Sequence, residues 1–163
     1  MESLFLELKK ILEDQKETMK QLLNTAREHN RALRQLDMEL LNPVLRKEEE
    51  LTAALNRQDK ARKKIVACLT DAAGLPGDAT LSRLTGRAPS QLERDIKEIA
   101  DEIKNIALNL GDINDQNGML TKQAMRVNEI LLNMLTRRDN KTYSPQGRKT
   151  GDDLPVSLLD KKV

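Results

Sequence analysis

A seven-residue repeat of apolar side chains runs through residues 92–134 and constrains the fold more than any other feature of the chain. Twelve of its thirteen positions are apolar: Leu92, Ile96, Ile99, Ile103, Ile106, Leu110, Ile113, Asn117, Leu120, Ala124, Val127, Leu131 and Met134. Alternating steps of four and three residues put these side chains on one helical face, and the strict repeat predicts a left-handed supercoiled seam. Ser90 and Glu93 have the spacing of a capping box, so the helix is predicted over 90–137. Two other helices or a second copy must cover so long a seam.

Apolar residues also recur at three- and four-residue spacing before this helix. Eleven positions from Phe5 to Leu40 share one helical face, and all of them except Gln15 and His29 are apolar. A first amphipathic helix is therefore predicted over about 3–34.

A second helix is predicted over about 43–73. Asn42 is a favourable capping residue, and Pro43 suits the first turn of a helix. Asp37 is an alternative cap, so the position of the break between the two helices stays open. The segment Gly74-Leu75-Pro76-Gly77 consists mainly of helix-breaking residues and ends the second helix.

Together these patterns predict an all-α protein. One Phe, one Tyr and no Trp leave the core to aliphatic side chains, as helical seams often do. We expect an elongated antiparallel helical bundle or coiled coil of three main helices in a domain over 1–138, with a short helical turn within 79–86. Residues 139–163 are predicted to be a flexible tail, because they are rich in Gly, Pro and polar residues. Within that tail lies a short apolar patch that suits docking: Leu154, Val156, Leu158 and Leu159.

Charge and hydropathy exclude several functions. The net charge is +2, but residues 136–163 carry seven basic and four acidic side chains, which leaves the first 135 residues at −1. Such a body gives no reason to expect nucleic-acid binding. The first residues are acidic where a signal peptide is basic, and no stretch approaches the roughly 18 apolar residues of a membrane span. We therefore expect a cytoplasmic protein without membrane insertion.

No arrangement of residues suggests catalysis. His29 lies on the first seam, where packing is favoured over nucleophilic chemistry. Cys68 is the one cysteine, so no disulfide forms within the chain, and its place beside the second seam predicts a small buried side chain. The Glu-x-x-His pairs of carboxylate metal sites are missing. Residues 112–118 resemble a calcium loop, but its sixth position is Asn117 where Gly is required. The sequence predicts no enzyme, no metal site and no cofactor.

The end of the last helix has more apolar surface than a seam requires. Six of the nine residues from 127 to 135 are apolar: Val127, Ile130, Leu131, Leu132, Met134 and Leu135. At about 100° per residue they cover an arc of roughly 200°, whereas one core-facing stripe needs a little over 100°. Either another helix of the bundle or a second copy covers the surplus, or the surplus forms a groove for a partner helix.

Asn117 is the polar exception in the repeat. A polar side chain on a seam costs stability, but it can fix the register or the number of helices that associate. A local structural role is favoured over a role in partner choice.

Short motifs occur in a characteristic order along the chain. The Leu-rich first helix is followed by Glu48-Glu49-Glu50-Leu51, Ala73-Gly74-Leu75-Pro76, Asn114-x-x-Asn117-x-x-Leu120 and Thr142-Tyr143-Ser144-Pro145-x-Gly147. In this order and spacing, the chain resembles the FlgN-type flagellar export chaperones.

The resemblance implies a helical chaperone of the flagellar type III secretion system that binds hook-associated (hook–filament junction) proteins and delivers them to the export apparatus. It implies that five side chains contact this cargo: Val127, Ile130, Leu131, Met134 and Leu135. Tyr143 is expected to dock on the cytosolic platform of the export gate, and Asn114 and Asn117 are expected to be structural. A weak homodimer is compatible with this interpretation. The alternative is a structural coiled coil whose surplus apolar surface serves self-association without cargo.

Overall fold

Three long helices and one short helix make up the computed structural model, which describes residues 1–76 and 81–139. They are α1 (Glu2–Gln35), α2 (Met38–Ala72), α3 (Leu81–Thr85) and α4 (Ser90–Asp139). The described ranges contain no strand, and the prediction of an all-α protein is confirmed. The predicted tail with its apolar patch lies outside the described residues, except for Asp139. The chain divides into two compact units, Met1–Ala124 and Met125–Val163.

A tight reversal centred on Leu36 separates α1 from α2. Leu36 has left-handed backbone angles, with φ 54° and ψ 34°. Its N–H donates to the Leu33 carbonyl at 3.3 Å. The Asp37 N–H donates to the Ala32 carbonyl at 3.0 Å, which completes a Schellman motif and pairs the last carbonyls of α1. The Asp37 carboxylate then accepts the Leu40 N–H at 3.0 Å and caps α2.

Because of this cap, α2 begins at Met38, and the predicted start at Pro43 is wrong. Asp37 follows the reversal directly, so the helix resumes before Asn42 can act as a cap. Pro43 consequently lies inside α2, where it has no N–H to donate to the carbonyl of Glu39 one turn earlier. The alternative cap identified in the sequence is the one that the chain uses.

Contacts within the first unit fix the directions of the long helices. Between α1 and α4, Lys9 pairs with Asp95 at 2.8 Å and Lys16 with Glu102 at 3.1 Å, each 86 residues apart. This constant offset shows that α1 and α4 run parallel. Between α1 and α2, the Gln58 amide donates to the Thr18 hydroxyl at 2.9 Å, and His29 meets Glu48 at 3.1 Å. From the first pair to the second, the residue number on α1 rises while the residue number on α2 falls, so helices α1 and α2 run antiparallel.

The larger core lies where the start of α1 meets the end of α2, α3 and the start of α4. Its buried side chains are Phe5, Leu8, Leu12, Leu69, Leu84, Leu92, Ile96 and Ile99. A Leu, Ile or Phe removed fully from water contributes about 1.5–3 kcal/mol, so these side chains hold the helix ends together. The predicted helical turn is observed as α3, whose Leu84 is fully buried.

A second core lies further along α1 and α4. Met19, Leu23 and Ile106 are buried there, and Leu55 of α2 packs against them. Cys68 belongs to neither core and is exposed, so the prediction that it is buried is wrong. Its neighbour Leu69 occupies the inward side of α2, and one residue turns a helix by about 100°.

α4 begins at Ser90, as the sequence predicts, but without the expected capping box. The Glu93 N–H donates to the carbonyl of Pro89 at 2.9 Å, and the Glu93 carboxylate pairs with Lys97 at 2.6 Å. Among the described residues, no helix combines the length and the apolar character needed to cross a membrane.

Candidate functional site

Seven large apolar side chains at the end of α4 are exposed. They are Met125, Val127, Ile130, Leu131, Leu132, Met134 and Leu135, and we refer to them as the apolar end of α4. Their exposed fractions range from 48% for Ile130 to 67% for Met125. Isolated exposed leucines are normal on a protein surface, whereas contiguous exposed apolar groups are typical of interaction sites.

The side chains of the apolar repeat become exposed towards the end of α4. Leu120 and Ala124 are half-buried, but Leu131 and Met134, on the same seam, are exposed. The offset of 86–87 residues between paired positions places the last residue of α1, Gln35, opposite about residue 122 of α4. The pairing of α1 with the seam therefore ends at about residue 122.

All five residues that the family resemblance assigns to cargo lie within the apolar end. Leu132, which the width of the apolar arc had already singled out, is exposed beside them. Met125 was missed because it falls off the seam, although it lies seven residues before Leu132 and so shares that side of the helix. Tyr143 lies outside the described residues.

The two asparagines expected to be structural differ in their surroundings. Asn117 is buried and Asn114 is exposed. The Asn117 carboxamide accepts a hydrogen bond from Asn30 Nδ2 at 2.9 Å and donates one to the Ala26 carbonyl at 2.9 Å. Arg34 Nε donates to Asn30 Oδ1 at 2.7 Å. This network joins α1 to α4, and Asn114 takes no part in it.

Sequence reasoning missed Asn30 because α1 packs on two sides. The predicted seam position is His29, but that side chain is turned towards α2, where Nδ1 lies 3.1 Å from a Glu48 carboxylate oxygen. The next residue, Asn30, is turned towards α4 and is buried. A single periodic face cannot represent a helix with two neighbours, although a polar residue on a predicted helix opposite Asn117 is a signal to look for.

An ion pair near the start of the bundle fixes the same register. Lys9 Nζ lies 2.8 Å from an Asp95 carboxylate oxygen, and both side chains are partly exposed. The hydrogen bond to Asp95 raises the pKa of Lys9, and the hydrogen bond from Lys9 lowers the pKa of Asp95, with a smaller effect from Gln91. Each group therefore favours its charged form.

Among the described side chains, those of the apolar end of α4 offer a binding surface. Over residues 1–76 and 81–136, no three or more His, Cys, Asp or Glu side chains come together in a way that suits a metal ion. His29 is paired with Glu48 inside the bundle, and Cys68 lies on the outside of α2. What the apolar end of α4 can do is bury another apolar surface, which matches helix-in-groove recognition.

The fold and the exposed helix end define a helical binding protein. A family model described as FlgN protein matches residues 1–151 of the sequence. The chain therefore belongs to the FlgN family of flagellar export chaperones, whose partners are flagellar hook-associated proteins. Searches of curated proteins and of solved structures give no significant match.

Proposed function

We propose that this chain binds proteins of the hook–filament junction in the cytoplasm and delivers them to the flagellar type III export apparatus. In this proposal a terminal helix of the cargo packs against the apolar end of α4. Membership of the FlgN family supports the chaperone role. The observation that carries the proposed surface is the exposure of Leu131 and Met134, both of which occupy positions of the apolar seam.

The composition of the apolar end suits a helical partner. Its side chains are aliphatic or methionine, with none of the aromatic anchors that suit a deep pocket. The unbranched side chains of Met125 and Met134 adapt to differently shaped partners. A chaperone that shields an assembly-prone helix needs this kind of wide and adaptable surface.

Binding of purified hook-associated proteins, measured by calorimetry, tests this surface. We expect Leu131→Asp and Met134→Asp to weaken binding at least tenfold each, because a charge must be desolvated where an apolar side chain was buried. The matched control is Leu108→Asp, a change of equal charge at an exposed leucine of the same helix outside the apolar end. Unchanged affinity in both apolar-end variants shows that the cargo binds elsewhere.

We further propose that Tyr143 docks the chaperone on the export gate. The support is its match to the tyrosine of the FlgN tail motif and its nature as a lone aromatic, a residue type that often anchors interfaces. Tyr143→Ala is expected to reduce export of hook-associated proteins while leaving their binding intact. A loss of cargo binding in this variant contradicts the separation of the two roles.

Self-association is the second candidate function, because the same exposed side chains fit a second copy. Light scattering on the purified chain separates the two functions. An oligomer that persists on dilution and ignores hook-associated proteins favours the structural coiled coil. A monomer or weak dimer that takes up cargo favours the chaperone.

A further inference from the structure

We propose that residues Leu154–Leu159 of the same chain dock onto the apolar end of α4 while no partner occupies it. The seven exposed side chains of that surface leave a large apolar area in contact with water, which is unfavourable. The regulatory consequence of this docking rests on the proposed function, whereas the docking itself does not.

The sequence after α4 supplies a suitable occupant. From Asn140 to Asp153 there is no Leu, Ile, Val, Met or Phe, whereas Leu154, Val156, Leu158 and Leu159 follow within six residues. A spacer whose one large apolar side chain is Tyr143, followed by one concentrated aliphatic segment, has the composition of a tethered ligand.

The spacer has the right length for this contact. About 15 residues connect Asp139 to Leu154. A flexible linker of that length has a root-mean-square span of about 20 Å and an extended limit of about 50 Å. The apolar end covers about 15 Å along α4 from Met125 to Leu135. The span of the spacer therefore matches the distance that the segment must cover.

Tethering favours this segment over a second copy of the chain. A short flexible linker presents its ligand at an effective concentration in the millimolar range, about a thousandfold above a protein at micromolar concentration. Only four aliphatic side chains take part, so a hook-associated protein with a full helix can displace them. The segment then acts as a latch that covers the apolar surface until cargo arrives.

Photo-crosslinking of the full chain tests the docking. A benzoylphenylalanine is placed at Leu132, and light and heavy isotope-labelled chains are mixed before irradiation. We expect crosslinks from position 132 to the peptide containing residues 154–159, with both ends carrying the same isotope. Crosslinks between light and heavy chains, or a yield that Leu158→Asp/Leu159→Asp does not reduce, overturn the proposal.

Cargo affinity provides the second measurement. Leu158→Asp/Leu159→Asp is expected to raise the affinity for a hook-associated protein by about three- to tenfold, because the fraction of chains with an open apolar end rises. The control is Val163→Asp, which adds charge beyond the aliphatic segment. Same-chain crosslinks without any cargo binding refute the proposed function and leave the docking standing. Cargo binding that depends on Leu131 but not on the tail segment, with no same-chain crosslink, refutes the latch alone.

Discussion

Asn30 of α1 donates a 2.9 Å hydrogen bond to Asn117 of α4, and both side chains are buried. This pair is a polar contact on an otherwise apolar seam, and Ala26 and Arg34 complete it. A slip of α1 by one heptad would place Leu23 opposite Asn117 and leave the carboxamide unpaired in the core. The pair therefore specifies the parallel register of the two helices, as a single polar residue does in coiled coils.

Replacing one member of the pair is expected to destabilise the bundle. Asn117→Leu leaves the Asn30 side-chain amide without its acceptor, at a cost of about 1–3 kcal/mol. Urea unfolding followed by circular dichroism measures this cost. Asn30→Leu/Asn117→Leu removes both polar groups and is expected to recover part of the loss. If the double variant loses as much unfolding free energy as the two single variants together, the asparagines contribute independently.

The two glycines inside α4 are expected to be replaceable with a gain in stability. A Cβ added at Gly111 or Gly118 meets no atom within 4 Å, and alanine has the higher helix propensity. Gly111→Ala and Gly118→Ala should each raise the free energy of unfolding by about 0.5–1 kcal/mol in thermal or urea melts. Gly74→Ala is the matched control and should destabilise, because Gly74 has φ +62° at the end of α2. A loss of stability at 111 or 118 indicates that another chain packs closely against that side of α4.

The pairing of Lys9 with Asp95 predicts a pH dependence of stability. Folding lowers the pKa of Asp95, so this carboxylate stabilises the fold above its unfolded pKa of about 3.9 and loses the effect as the pH falls through the lower folded value. Folding raises the pKa of Lys9, so its contribution is complete below about pH 10.4 and is lost as the pH rises through the higher folded value.

Urea unfolding of Asp95→Asn at several pH values measures how the contribution of Asp95 is lost in acid. The variant should be less stable than the parent at pH 7 in low salt, and the difference should shrink below about pH 4 and in 1 M salt. Asp101→Asn, at an exposed carboxylate of the same helix, is the control. A difference that persists in acid assigns the effect to packing rather than to charge.

The sequence predicts most of the bundle, because the heptad spacing of apolar residues indicates which side chains are buried. Phe5, Leu8 and Leu12 on α1 and Ile96 on α4 are all buried as their spacing predicts. The start of α2 was not decided by sequence, since Asp37 and Asn42 are both good caps and the choice depends on the reversal at Leu36.

The candidate site was predictable only in part, for a related reason. Periodicity shows that the end of α4 is too apolar for one seam, but it does not show where the covering helix stops. That point follows from the register between α1 and α4, which Asn30 and Asn117 set across 87 residues of sequence. The register depends on side chains from two helices and cannot be read from either helix alone.

Charged substitutions at the apolar end are expected to separate binding from folding. Leu131 and Met134 are more than half exposed, so Leu131→Asp and Met134→Asp should change the free energy of unfolding by no more than about 0.5 kcal/mol. Leu8→Asp is the opposite case, because it buries a charge at a fully enclosed position, and it should prevent stable folding. Circular dichroism melts of the purified variants make the comparison.

The stability of these variants decides how a loss of cargo binding is interpreted. If Leu131→Asp has the same unfolding midpoint as the parent and still fails to bind a hook-associated protein, the side chain contacts the partner. If its unfolding midpoint is lower than that of the parent, Leu131 supports the chain's own fold, and the loss of binding follows from unfolding. Melts repeated over a hundredfold range of protein concentration add the last distinction, because a homodimer that buries Leu131 gives a midpoint that rises with concentration in the parent but not in the variant. A midpoint independent of concentration in both excludes the homodimer and leaves a foreign partner or the segment Leu154–Leu159 of the same chain as the occupant of the apolar end.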